Sequence, residues 1–565
     1  MSDYRPEHLG EAEALLRAGR VGQAVGVLRE MTARRSDDAA AQEMLAVALE
    51  RSGDRVGAEH ALRASLAAEP GRPGAAARLV NLLTATYRAE EAIKLLAPFM
   101  DAATDGLLLT AYGSALKSEG RMDDAVTYYE RARQALPMSP EAEHNLAGAL
   151  GDAHLFAESA RVVGRAFDKG LDAPETWLVQ GRSLVGLGRF DEAEDSFREA
   201  IRRRPHYPDA HAELAQLIWM RTEDADAASE GLDEALRTRR DDLALTLVKA
   251  RLLEYAVGEG AAYEILGDLA RLYNLDAAVQ TAAARLSLSI DPETALAHAK
   301  RAVAVAPKDA PAMSALAQAN LALGRPEPAA EIAEELRSAW PNDQQPLAIL
   351  AIAWRMLGDP RYHQLYDYQR LVRPYEIETP AGWPKLKAYL ADLAEALKRL
   401  QRLRGHPVGQ SLRQGAQTGQ MLTRSEDPAI QAFFAAVDAP IRAYIAVLAK
   451  RPDELGRRVS KGYRFTGAWS VLLQPGGRHV DHIHQLGWIS SAFHVELPAA
   501  VDKGHEGWLK FGEPGMPTRP WLEPEHHVKP KAGTLVLFPS YMWHGTVPFS
   551  GAEPRLTIAF DAVPA

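Results

Sequence analysis

Residues 174–205 read PETWLVQGRSLVGLGRFDEAEDSFREAIRRRP. Two helical halves meet at Gly188, and Pro205 closes the stretch. A Gly at the end of a first helix supplies the left-handed turn, and a Pro after the second helix stops it. Gly181, Ala193 and Ala200 are small enough to let two helices approach, while Trp177, Leu184 and Phe197 supply apolar bulk. One such hairpin cannot bury its apolar face alone, so units of this kind stack on their neighbours. The pattern extends outward. Two periods upstream, Gly113, Gly120, Ala125, Tyr129, Ala132 and Pro137 occupy the same slots. The small-residue slot recurs at Ala24, Ala58, Ala92, Ala125, Ser159 and Ala193, at intervals of 33 or 34 residues. Ala295 and Ala329 are again 34 apart, as are Pro307 and Pro341. The spacing predicts about nine or ten units between residues 5 and 355. Residues 220–275 are irregular and stay unphased.

This pattern resembles the tetratricopeptide repeat, a 34-residue helix–turn–helix. The resemblance implies an α-solenoid over residues 5–355, with a face that binds a peptide or protein, or that serves oligomerisation. A generic Ala-rich bundle would give no reason for the fixed interval.

Composition narrows the function classes. The chain has 565 residues, 47% of them hydrophobic and 25% charged, which is an ordinary foldable composition. Lys and Arg total 65 against 75 Asp and Glu, a formal charge of −10. That balance disfavours nonspecific nucleic-acid or anionic-membrane binding. Cysteine is absent, which removes disulfides, zinc fingers, iron–sulfur clusters and Cys nucleophiles. The first residues, MSDYRPEHLGEAEALLRAG, lack a basic start followed by an apolar run, so a cytoplasmic location is expected. No stretch is read as approaching 18 apolar residues, so no membrane span is expected.

After residue 355 the repeat phase is lost. Residues 356–374 are expected to be a connector, and 375–565 a second domain. An amphipathic helix begins at Lys385, with Leu386, Leu390, Leu393, Leu397 and Leu400 at helical spacing. A polar stretch, HPVGQSLRQGAQTGQ, separates it from a second helix over DPAIQAFFAAVDAPIRAYIAVLAK. From about residue 462 the period becomes that of strands, in TGAWSVLLQPGG, GWISSAFHVELP, GTLVLFPS and PRLTIAFDAV. This tail holds eight of the 17 histidines and five of the ten tryptophans, so the chemistry is expected there.

Four features line up in order. GGRHVDHIHQLGW (476–488) places His479, Asp481, His482 and His484 after a Gly-Gly turn. WISSAFHVELP follows at once as a strand. GTLVLFPSYMWHGTVPF (533–549) carries His544 just past another strand, and RLTIAFD begins at Arg555, 11 residues later. By themselves these residues imply a metal or anion site.

The set resembles the Fe(II)- and 2-oxoglutarate-dependent oxygenase superfamily. It is nearest the branch in which H-x-H precedes a W-x-S-x-x-x-x-V-x-L-P strand and F-P-S-x-x-x-H-G precedes R-x-T-I-A-F. The resemblance implies an α+β double-stranded β-helix (a jelly-roll, cupin-like fold), with Fe(II) and O2 as cofactors and 2-oxoglutarate as cosubstrate. Non-haem Fe(II) oxygenases need three ligands on one face of the metal, leaving positions for 2-oxoglutarate and O2. Two come from an i, i+2 pair, because alternate strand residues share a face. His482, His484 and His544 are the favoured set. The alternative pair is His479 and Asp481, which in a regular strand would point to the opposite face. A third arrangement, pairing His482 with water in place of a carboxylate, stays open. If the later pair is used, Asp481 is expected to orient a ligand imidazole. Arg555 is expected to seat the far carboxylate of 2-oxoglutarate, with Thr557 on the same face. Relatives tend to have Tyr-Tyr where this chain has Phe493-His494, so His494 either touches 2-oxoglutarate or is a packed strand residue. His505, His526 and His527 are expected in solvated loops, and Trp469, Trp488 and Trp543 in core packing.

The functional expectation is a dioxygenase that hydroxylates a side chain of a protein or peptide positioned by the repeats. Two rivals stand beside it. One is a small-molecule oxygenase whose solenoid forms a homo-oligomer. The other is a non-catalytic scaffold with a degenerate metal-binding barrel. A P-loop, a strand–GxGxxG–helix unit, HExxH and G-x-S-x-G are missing from the sequence.

Overall fold

The computed structural model describes residues 7–419 and 421–565. The expected start of the repeats at residue 5 lies outside the described residues. Packing divides the chain into two compact units, Met1–Arg189 and Phe190–Ala565. That division falls inside the repeat array and not where the composition changes.

In the first unit, successive helices from Glu7–Arg17 to Pro174–Leu187 pack on their neighbours. The small-residue slot is fully buried at Ala24, Ala58, Ala92, Ala125 and Ser159. Ser159 can be accommodated because its hydroxyl donates to the Ala147 carbonyl, 2.7 Å away. A Cβ at Gly113 would lie 3.2 Å from the Tyr129 ring, which explains the Gly in that slot. Asp38, Asp54, Asp105 and Ser139 cap helix N-termini with their side chains. Gly188 ends the helix Pro174–Leu187 at φ 73°, as its place in the pattern requires.

The second unit opens with helices of the same kind, from Phe190–Arg203 to Gln345–Leu357. The stretch 220–275 proves regular. Ala228 and Ala262 are buried in the slot between Ala193 and Ala295, and Asp224 and Asp242 cap the helices. The interval from Ala193 to Ala228 is 35 residues, and that single-residue slip hides the phase from a fixed-period reading.

Beyond the helices, the strands are β1 (Arg373–Glu376), β2 (Leu412–Gln417), β3 (Tyr463–His479), β4 (Ile489–Glu496), β5 (Leu509–Phe511), β6 (His526–Val528), β7 (Thr534–Pro539), β8 (His544–Thr546) and β9 (Arg555–Pro564). They form an antiparallel six-stranded sheet in the order β1-β7-β4-β9-β3-β2 and a three-stranded sheet in the order β6-β5-β8. The four sequence-predicted strands are β3, β4, β7 and β9. The 356–374 segment expected as a connector is structured. It contains the helices Arg361–Leu365 and Tyr368–Leu371 and the start of β1, which pairs with β7. Pro374 fits there because β1 is an edge strand, where a missing N–H leaves no ladder bond unmade.

The helices Leu386–Leu400 and Pro428–Leu448 accompany the six-stranded sheet. The second corrects the expectation that no stretch approaches membrane-spanning length, for it is long and apolar enough by composition. In the fold it lays Phe433 4.8 Å from the Phe493 ring, and it carries Asp438, which pairs with Arg442 and accepts from the Tyr463 hydroxyl. It is a sheet-covering helix. The predicted polar stretch after residue 400 becomes a strap on the repeat helices. Arg404 and Gly405 donate to the Met220 carbonyl, and Trp219 Nε1 donates to the His406 carbonyl. Leu403 and Val408 pack on the Trp219, Leu245 and Leu252 cluster. The strap delivers the chain into β2. A single apolar core runs from Leu288 and the helix Gln345–Leu357 into β4, β7 and β9.

Candidate metal and carboxylate site

β3 leaves its ladder at His479, and the next residues turn back toward β8. The His482 N–H donates to the His544 carbonyl at 2.9 Å, and the His544 N–H returns to the His482 carbonyl at 3.1 Å. This bridge sets the two imidazoles side by side, with centroids 4.3 Å apart. The His484 N–H donates to the Ser540 carbonyl, which turns the third ring toward the same point. The ligand-capable nitrogens of His482, His484 and His544 lie within 4.8 Å of one another.

The outer nitrogen of each ring is held by an acceptor. His482 Nδ1 lies 2.8 Å from the Val480 carbonyl, and His544 Nδ1 lies 2.9 Å from the Met542 carbonyl. His484 Nδ1 lies 2.6 and 2.7 Å from the Asp561 carboxylate oxygens. Acceptors at Nδ1 place the ring protons there and leave three Nε2 lone pairs for the interior. His482 Nε2 and His484 Nε2 are 3.1 Å apart, about the separation of two donors ~2.1 Å from a shared ion at right angles. Burial and the neighbouring His484 push His482 down to about 3, and burial also holds His544 well below the usual histidine range. Both rings are therefore neutral at ordinary pH, as a metal ligand must be. The residues present fit a metal ion.

The earlier pair is placed differently. His479 Nδ1 lies 3.0 Å from Ser411 Oγ, and Asp481 pairs with Lys510 Nζ at 2.8 Å. Neither belongs to the three-imidazole group, although both line the same cavity. The opposite-face argument assumed a regular strand through residue 484, whereas β3 ends at His479. The orienting carboxylate expected at Asp481 is supplied instead by Asp561. Asp561 closes RLTIAFD at an even offset from Arg555 and Thr557, so the shared face was the available signal.

Arg555 is buried on β9 at 2% exposure. Among the described residues no carboxylate pairs with it, and its Nε has no partner. Its one hydrogen-bond neighbour is His494 Nδ1, 3.4 Å from Nη2. Burial lowers Arg555 to about 10, so it stays cationic at neutral pH. A buried, unpaired cation is strongly unfavourable, and this one faces a cavity of about 980 Å³ that also contains the three imidazoles. The donor set fits the carboxylate of a small acid. Thr557 is on the cavity wall beside it; His494 is fully buried and off that wall, with Nε2 unpartnered.

Other residues also come into the site. Trp469 lines the cavity, its ring stacked 6.0 Å from His484. Ser411 Oγ lies 3.2 Å from His482 Nε2, and no motif announced it. Trp488 is a core residue as expected; Trp543 is buried but also lines the cavity, and Trp469, expected in core packing, stands on the cavity wall. His526 and His527 are corrected from loops to β6. His526 stacks on Tyr368 at 5.1 Å, and His527 on His505 at 4.3 Å. Three-residue strands carry too little alternation to be read from sequence.

Comparison with known families agrees with these placements. Residues 467–561 match the family described as "Putative 2OG-Fe(II) oxygenase". Residues 9–73, 178–244 and 291–344 match one tetratricopeptide-repeat family, and residues 108–132 match another. No curated protein matches the chain. The chain carries tetratricopeptide repeats across residues 9–344 and, at 467–561, a C-terminal domain of the 2OG-Fe(II) oxygenase type.

Proposed function

We propose that the protein is an Fe(II)- and 2-oxoglutarate-dependent dioxygenase that hydroxylates a side chain of a protein or peptide. His482, His484 and His544 would hold Fe(II), and Arg555 with Thr557 would seat the far carboxylate of 2-oxoglutarate. When bound, iron and 2-oxoglutarate supply the oxidising chemistry: O2 and 2-oxoglutarate are consumed, succinate and CO2 leave, and a C–H bond becomes C–OH. The chain's own residues do the rest. Asp561 holds the proton on His484 Nδ1 and keeps Nε2 free. The backbone bridge between His482 and His544 fixes two rings before any ligand arrives, so little ordering is left for binding. Trp469 and the buried wall around Arg555 limit water at the reacting end.

The observation that carries this reading is a fully buried guanidinium without a carboxylate, facing the same cavity as three imidazole nitrogens. A peptide substrate is supported by the wall of that cavity, which includes Glu254, Tyr255 and Arg285 from repeat helices. Anaerobic Fe(II) titration with 2-oxoglutarate should give the weak metal-to-ligand charge-transfer band, and succinate release under O2 should vanish in His544→Ala. Metal binding with no 2-oxoglutarate-dependent band, in a chain that releases no succinate, would leave a scaffold with a metal site.

A further inference from the structure

Tyr255, on the helix Leu243–Ala256, stands in the cavity wall. Two guanidinium groups lie over its ring. Arg251, from the same helix, is 5.4 Å from the centroid, and Arg413, from β2, is 5.2 Å away. A third, Arg478, is the register partner of Arg413 on β3. Arg251 and Arg478 are exposed, and Arg413 is half-buried and lines the cavity. Among the described residues, none of the three pairs with a carboxylate. The acids whose field reaches Arg413 are Glu254 and Glu259, and both are engaged. Glu254 is held by Arg285, with Nη2 2.8 Å from Oε2, and Glu259 accepts from the Ser289 hydroxyl. Arg413 uses Nη1 on the Gln410 and Leu412 carbonyls and leaves its other nitrogens unpartnered.

The backbone at this point is specialised. The β2–β3 register shifts between Arg413 and Gly415, and Gln414 takes φ 55°. A bulge re-aims the side chain beside it, and a non-Gly residue at positive φ is held there only by its surroundings. The Gly-Gly turn supplies the room. A Cβ on Gly476 would meet Gln414 Oε1 at 2.6 Å, and one on Gly477 would meet the Gln414 carbonyl at 2.6 Å. A chain of net charge −10 thus brings three arginines without an ion-pair partner among the described residues together around Tyr255 and the β2–β3 bulge, with Arg413 on the wall of the candidate active-site cavity beside Glu254 and Glu259. They come from three elements and two are exposed, unlike Arg555, which is sunk to take one small acid. Ser411, beside His482, precedes Arg413 by two residues. That is about 7 Å of extended chain, or two residues of an extended peptide.

We propose, on the oxygenase reading of the same cavity, that the substrate is an acidic peptide segment. Its Asp and Glu carboxylates are taken by Arg251, Arg413 and Arg478 while a neighbouring residue reaches the three imidazoles. The test uses the full chain and fluorescence anisotropy with a labelled Asp/Glu-rich peptide, its Asn/Gln counterpart, and inorganic phosphate as competitor. The acidic peptide is expected to bind at low salt, to lose roughly tenfold at high salt, and to outbind the neutral one. Arg413→Gln and Arg251→Gln are each expected to weaken it roughly tenfold, and Arg413→Lys less. Arg251 is exposed, so its variant keeps the test clear of misfolding. Equal binding of the two peptides, indifferent variants, or displacement by phosphate at the peptide's own concentration range would overturn the proposal. A 2-oxoglutarate thermal shift on the unaltered chain separates the failures. If that shift appears without peptide binding, only this inference falls; if both are absent, the oxygenase reading falls with it.

Discussion

Asp561 does for His484 what backbone carbonyls do for His482 and His544, and it is the one side chain in that role. Asp561→Asn keeps the shape but weakens the acceptor, so Fe(II) affinity in anaerobic titration should fall about 10- to 100-fold. An unchanged affinity would show that the ring needs no carboxylate behind it. Arg555→Ala should keep iron and lose 2-oxoglutarate, because it removes the anion's partner without touching a ring nitrogen. Loss of both together would place Arg555 in the fold and not in the site. His494 gives a pH signature. Burial, then the charge of Arg555, holds it well below the usual histidine value in the folded chain. Below about pH 6.5 the unfolded chain takes up a proton that the folded one refuses, so stability falls as pH drops, at most ~1.4 kcal/mol per pH unit. His494→Phe should remove one histidine's share of the decline in unfolding temperature between pH 7 and 5, leaving that of His482 and His544; parallel declines would show that His494 takes no part in it. At this scale the residues singled out in the sequence are brought onto one cavity. Three imidazoles and an arginine fell into a known order, but Ser411 and Asp481 were decided by where β3 ends, which no spacing announces.

At the scale of elements, long periodic segments were readable and short ones were not. β3, β4, β7 and β9 carry apolar runs, and the 34-residue interval exposed the repeats. β1, β2, β5, β6 and β8 have between three and six residues, too few to set up a readable alternation. β2 was hidden further by its Gln and Gly content and its bulge, so it read as part of a polar stretch. The strap that precedes β2 was invisible for a different reason: its hydrogen bonds and apolar contacts go to helices almost two hundred residues earlier. Gly405 is where its backbone runs against the backbone of those helices. A Cβ there would meet the Trp219 carbonyl at 3.0 Å and Met220 Cα at 3.2 Å. Gly405→Ala should therefore lift the strap, seen as faster amide hydrogen exchange across residues 401–410 while the sheet stays protected. Unchanged exchange would mean that the strap is held elsewhere.

For the molecule as a whole, the change in sequence character near residue 355 is not a mechanical boundary. One apolar core passes from Leu347, Ile349, Leu350, Ile352 and Trp354, each at most 6% exposed, into Ile489, Leu535 and Phe560. Trp543, next to His544 of the three-imidazole group, donates its Nε1–H to the Ala348 carbonyl. Burying a side chain of this size contributes about 2 kcal/mol, and these five lie on both sides of the helix, so those turned toward the sheet domain contribute roughly 4–6 kcal/mol. The net stability of a whole domain is only about 5–15 kcal/mol. A chain cut at residue 375 would lose that buried face, together with Glu254, Tyr255 and Arg285 from the cavity wall. A chain starting at Phe190 keeps the continuous core and every residue that lines the cavity. The two truncations should thus behave oppositely. Residues 190–565 should melt cooperatively and bind 2-oxoglutarate within about threefold of the full chain. Residues 375–565 should aggregate or show the exposed apolar surface and lost near-UV signal of a molten state. If the shorter piece instead folds and binds 2-oxoglutarate as well as the full chain, the repeat helices are an attachment to the oxygenase-type domain and not a part of its core.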